Sequence, residues 1–137
     1  MAFQFPSKLT PDFNLTLHEG SGRWAVVCSG TLDTVDAAAV VQPQLLKLHA
    51  AVVEAKIPVV TLDLKAVEYM NSSGLKSFMV WFLTASNAKD GAYTIEVGYN
   101  PDLSWQQMSL KPMERLAPRT VKLMPSAAAS DSLPRSG

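Results

Sequence analysis

Cysteine is almost missing: Cys28 is the only thiol in 137 residues. No internal disulfide can form, and no cysteine-based zinc cluster can be built. Cys28 lies in the apolar run "RWAVVCSG", which reads as a small buried side chain and not as a reactive thiol. Histidine is scarce as well. His18 and His49 stand far apart and no Asp, Glu or His grouping has ligand spacing, so no metal is expected. Apolar runs stop short of the roughly 18 residues that cross a bilayer, which argues against membrane insertion. "MAFQFPSKLTPDF" has no basic start leading into a continuous apolar region; it does not read as a secretion signal, and a cytoplasmic location is expected. An excess charge of either sign is also lacking, since 12 Lys and Arg offset 12 Asp and Glu. The cations are scattered along the chain. Nucleic acid is therefore not an expected partner, because affinity for a phosphate backbone needs concentrated positive charge.

What the chain does have is apolar residues in periodic order, nearly half of the total, enough for one domain with a real core. In "DFNLTLHEG", Phe13, Leu15 and Leu17 alternate with polar residues, and the turn residues Glu19 to Gly22 lead into "RWAVVCSG". The two runs read as a strand hairpin. "TLDTVDAAAVVQPQLLKLHAAVVEAK" is helical in composition, but Pro43 cannot donate an interior hydrogen bond, so the sequence predicts a short first turn and a main helix from Pro43 to Ala55. Its expected core stripe is Leu46, Ala50 and Val53 with Leu45, His49 and Val52 beside them. "IPVVTLDLKAVEYM" is a third strand, a helix follows from Ser73 to Ala88, and "AYTIEVGYN" alternates as a half-buried strand does. "PDLSWQQMSLKPMERLAP" reads as a helix broken at Pro112, and "RTVKLM" as a last strand. Strands alternating with helices in this order imply an α/β domain whose sheet contains parallel pairs. The domain spans residues 1–125, and the small, polar 126–137 reads as a disordered tail.

One junction stands out. "YMNSSGLKSF" places Asn71, Ser72, Ser73 and Gly74 between a strand and a helix. Any of the first three suits an N-cap, but one cap needs one residue, and Gly74 is a poor helix former. A nucleophilic serine is a weaker reading, because "NSSGL" lacks the G-x-S-x-G spacing and neither histidine lies in an adjacent loop. A serine hydrolase is thus a minor alternative. No G-x-x-x-x-G-K or G-x-G-x-x-G is present, and no cofactor is expected.

"VVTLDLKAVEYMNSSGLKSFMVWF" resembles the signature of the STAS domain, the fold of bacterial anti-sigma factor antagonists: an apolar strand ending in Asp-Leu, a short loop, then Asp-Ser-Ser-Gly-Leu opening a helix. "CSGTLDTVDAA" is similar to the family's second motif, a strand leading into Gly-x-Leu-Asp. The likeness in element order runs from about Thr10 to Met124. It implies a STAS-like mixed sheet of four to five strands with helices packed on it, and a partner-switching protein without catalysis. In such proteins the first serine of the motif is phosphorylated by a serine kinase that is also the anti-sigma factor, and a serine phosphatase resets it. Carried over, the resemblance makes Ser72 the phospho-acceptor, with Ser73 and Gly74 completing the loop and Gly30, Leu32 and Asp33 forming the neighbouring part of the binding face. Asn71 stands where the family usually has Asp, and Lys76 where it commonly has a small residue. Lys76 follows Ser72 by four residues, a spacing that suits pairing with a phosphate. The resemblance leaves a rival, a constitutive STAS subunit of a larger sensory or transporter-associated assembly.

On a helical wheel Leu75, Phe78, Met79 and Phe82 share one face, and Val80 and Trp81 fall outside it. Trp81 is therefore either the edge of a broad core stripe or a contact for a kinase or for a second copy in a homo-oligomer. Trp105 has the same two readings.

Overall fold

The computed structural model describes residues 4–6, 9–88 and 93–125. Two antiparallel strands, β1 (Phe13–Glu19) and β2 (Arg23–Leu32), open the chain as the expected hairpin, with Phe13 opposite Gly30 and Glu19 opposite Trp24. Then follow α1 (Ala37–Ala55), β3 (Val59–Met70), α2 (Ser72–Ser86), β4 (Thr94–Tyr99), α3 (Ser104–Leu116) and β5 (Val121–Pro125). Strand order is β1-β2-β3-β4-β5, and every pair after the hairpin is parallel. Right-handed crossovers that always step in one direction carry their helices to one face of a sheet. Burial agrees with that rule. Val26, Leu62 and Val97 lie opposite one another in register and are fully buried, whereas the intervening Ala25, Thr61 and Glu96 are only half-covered. On that open face Arg23 pairs with Glu96 at 2.7 Å.

The expected break at Pro43 does not occur: α1 is continuous from Ala37. Nor does α3 break at Pro112. Both prolines are exposed, and the carbonyls they leave without a helical donor belong to Ala39 and Met108, which are exposed as well. Water can serve those carbonyls. Burial of Ala37, Val41 and Leu45 on one helix and of Gln106, Leu110 and Met113 on the other offsets an interior proline's cost of about 3 kcal/mol. The core stripe of α1 also differs from expectation. It runs Ala37, Val41, Leu45, Leu48, Val52, so Leu45 and Val52 belong to it, while Ala50 is exposed and Leu46 and Val53 lie at its margin.

Gln106 holds the upper part of β3 in place. The β3–β4 ladder ends at Asp63. Past that point the fully buried Gln106 donates from Nε2 to the carbonyls of Leu64 at 2.7 Å and Val67 at 2.8 Å, and accepts from Asn100 N at 2.7 Å. Trp105 Nε1 donates to the Glu68 carbonyl at 2.8 Å. An unpaired strand edge inside a protein must find donors somewhere, and here one amide and one indole supply them.

Cys28 is fully buried on β2, and desolvation, with the Asp63 carboxylate adding to it, pushes its thiol pKa well up. It is a packing residue. The tail at 126–137 lies outside the described residues.

Candidate functional site

The parallel strands β2 and β3 end side by side, with Leu32 opposite Met70, and each hands over to a helix at that edge. From β3 the handover takes a single residue, Asn71. Its backbone N–H continues the ladder to the Leu32 carbonyl at 2.9 Å. Its side chain then does two opposite jobs. Oδ1 accepts from Gly74 N at 2.8 Å and caps α2, and Nδ2 donates to the Thr34 carbonyl at 2.9 Å in the loop between β2 and α1. A carboxylate can cap, but it has no proton to give Thr34. That gives Asn71 a physical reason in this chain.

Ser73 has a different task. Its Oγ accepts from the N–H of Ala38 at 2.9 Å, capping α1 from the first turn of α2. The Asp36 carboxylate, in the N-cap position of α1, makes no cap bond. Asn71 and Ser73 together lock the two helix starts into one unit. The bare turn at Gly74 also has a packing cause. A Cβ there would lie 2.5 Å from Leu32 Cδ2 and 2.8 Å from Met70 Cγ, so glycine lets α2 sit down on the end of the sheet. Gly74 and Leu32 are buried, and they form the floor of the site instead of its contact surface. At Gly30, φ is 99° and a Cβ would collide with the Asp12 carbonyl oxygen; Thr31 N–H bonds that same carbonyl at 2.8 Å. Glycine is required there to bring the end of β2 over the start of β1.

Ser72 is what remains. It is exposed, it opens α2, and its hydroxyl makes no hydrogen bond to a described residue, neither histidine included. Asn71 has taken the Gly74 N–H, and Leu75 N–H bonds the Asn71 carbonyl. The N–H groups of Ser72 and Ser73 are left without intrahelical partners, a site that favours an anion. Asp33 and Lys76 are exposed and carry no ion pair with a described residue. Two large apolar side chains are exposed on the segments that meet at this edge: Val35 is 96% exposed in the β2–α1 loop, and Tyr69 is 49% exposed near the end of β3.

Trp81 does not join this surface. It is fully buried, its ring lies 5.5 Å from that of Phe82, and its Nε1 donates to Tyr93 Oη at 2.8 Å. The helical face is rotated from the expected one because Gly74, Ser77 and Ala85, small residues, belong to the buried stripe along with Phe78, Trp81 and Phe82. Trp105 is likewise tied to backbone. His49 Nδ1 lies 2.8 Å from Tyr93 Oη. Since that oxygen already accepts from Trp81, the arrangement favours a Tyr93 hydroxyl donating to a neutral His49, and desolvation lowers the His49 pKa in the same sense. Among the described residues no group of three His, Cys, Asp or Glu could hold a metal ion, and no helix is long and apolar enough to cross a membrane.

No protein-family model matches the chain, and no curated protein matches it. The crystal structure of an anti-sigma factor antagonist from Mycobacterium paratuberculosis does, with a TM-score of 0.57, 22% sequence identity and 96% of each chain covered. The fold is that of an anti-sigma factor antagonist. The mixed five-stranded sheet with three helices thus agrees with the STAS-type architecture that the two sequence motifs resemble.

Proposed function

We propose that the chain is a protein-binding module of the partner-switching kind, working in the cytoplasm, whose contact with its partner is controlled by phosphorylation of Ser72. The partner is a serine kinase that is also an anti-sigma factor, and a serine phosphatase restores the bare hydroxyl. One observation carries the reading. Of three small polar side chains at the junction, Asn71 caps α2, Ser73 caps α1, and Ser72 alone is exposed with no structural duty. Phosphate there adds nearly two negative charges beside unpaired N–H groups at a helix start, with Lys76 one turn along, so the fold tolerates it. The partner does not. A surface fitted to a neutral hydroxyl meets a hydrated anion instead.

The rival is a constitutive subunit of a larger assembly. It is favoured by Asn71, whose amide rivets the two loops together whether or not Ser72 is ever modified. Incubation with the serine kinases encoded alongside the protein and ATP, followed by intact-mass measurement, separates the two. One phosphate, lost in Ser72→Ala, is the expected result. No phosphate with any of those kinases leaves the constitutive reading in possession.

A further inference from the structure

Asp36 occupies the N-cap of α1, yet its carboxylate accepts nothing from the helix, because Ser73 Oγ has taken the Ala38 N–H. Asp36 is exposed and has no ion pair with a described residue. Further along the same helix, Pro43 has no N–H to give the Ala39 carbonyl. Between these two features lies an open groove of about 440 Å³, lined by Asp36, Ala38, Ala39, Gln42, Pro43 and Leu46. One end of the groove carries the uncommitted Asp36 carboxylate. Its other end is the Pro43 ring and the Leu46 side chain.

We propose that this groove receives a lysine or arginine side chain from the protein that docks on Ser72. Long basic side chains lay their methylene stems on apolar surface and keep the charged head among acceptors, and the groove offers both in sequence. Charge complementarity points the same way. Asp33 and Asp36 bracket the β2–α1 loop as carboxylates with no ion pair to a described residue, and they attract a basic side chain. The bond between Ser73 and Ala38 fixes the groove relative to Ser72, so one partner surface can engage both. The partner's arm is held by α1 while its tip reads the hydroxyl on α2.

The inference rests on the reading of Ser72 as a partner contact, but the groove can be tested without phosphate or partner. The whole protein is titrated with N-acetyl-arginine methylamide, with N-acetyl-norleucine methylamide as the uncharged control, and backbone amide NMR shifts are followed. The expected result is saturable shifts centred on Asp36 to Leu46, absent with the control, and weakened roughly fivefold in Asp36→Asn, the loss of one exposed charge pair. Asp36→Asn should stay folded and lower the urea midpoint only slightly, since the carboxylate caps nothing and acts on α1 only through the helix dipole. No saturable shifts, shifts as large with norleucine, or an affinity unchanged by Asp36→Asn would each overturn the proposal. Those failures leave the phosphorylation of Ser72 untouched, and a Ser72 that no kinase modifies leaves the arginine titration unchanged, so the two readings fail separately.

Discussion

Replacing Ser73 by alanine should destabilise a helix to which Ser73 does not belong. The substitution removes the acceptor of the Ala38 N–H, now 2.9 Å away, and leaves α1 without the one side-chain cap that the described residues give it. Loss of an N-cap costs about 1 kcal/mol, within a range of roughly 0.5–2. Alanine returns up to about 0.5 kcal/mol through its better helix propensity in α2. The Ser77 hydroxyl bonds the backbone carbonyl of residue 73 and is unaffected. A net loss of about 0.5–1 kcal/mol follows, which at an m-value of about 2 kcal/mol/M moves the urea midpoint down by roughly 0.25–0.5 M. Ser72→Ala, removing a hydroxyl with no partner, should stay within about 0.5 kcal/mol of wild type. Fluorescence of the buried Trp24 and Trp81 reports the transition. Asp36 sits where a rotated carboxylate can take over the orphaned N–H, so Ser73→Ala combined with Asp36→Ala should lose more than the sum of the single variants. If Ser72→Ala costs as much as Ser73→Ala, or if Ser73→Ala changes neither the midpoint nor hydrogen exchange at Ala38, the division of labour between the two serines is wrong.

Gln106→Leu should cost about 3 kcal/mol by urea unfolding, because it orphans the buried carbonyls of Leu64 and Val67 and the N–H of Asn100 together; a loss under about 1 kcal/mol would mean that water replaces the amide. The pair His49 and Tyr93 makes stability pH-dependent. The folded-state pKa of His49 is lowered, so the unfolded chain binds the extra proton first, and stability should be level above about pH 6.5 and decline as pH falls below it. Tyr93→Phe should cost about 1–3 kcal/mol by leaving Trp81 Nε1 without an acceptor. Unfolding midpoints that do not fall between neutral and mildly acidic pH in wild type would contradict the assignment of a neutral, desolvated His49.

Most of the architecture was legible from periodicity and punctuation. Phe13 and Leu15, or Tyr93 to Tyr99, alternate as pleated strands must, and the motif boundaries at Leu32 and Met70 fell where the two parallel strands end. Pro43 and Pro112 misled because a proline's cost depends on whether the carbonyl it orphans faces water, and that is decided by which side of the helix is buried. The wheel put Trp81 off the face of Leu75, Phe78, Met79 and Phe82, and so left it open between core edge and partner contact, because it weighed only large apolar residues; Gly74, Ser77 and Ala85, small and buried, carry no hydrophobic signal. Gln106 gave no sign of its role, since its partners on β3 lie about 40 residues away in the chain. The same holds for the bond from Ser73 to Ala38. Local pattern says that a serine can cap; only the fold says which helix.

The central claim concerns the consequence of an anion at Ser72. Calorimetric titration of the kinase found by intact-mass measurement into unmodified protein, Ser72→Ala and protein phosphorylated at Ser72 tests it directly. Binding to the first two, with a loss on the order of a thousandfold in the third and an unchanged melting temperature, is the result expected from burying a mismatched charge. Equal affinity for all three forms, or a phosphorylated protein that no longer folds, would contradict it.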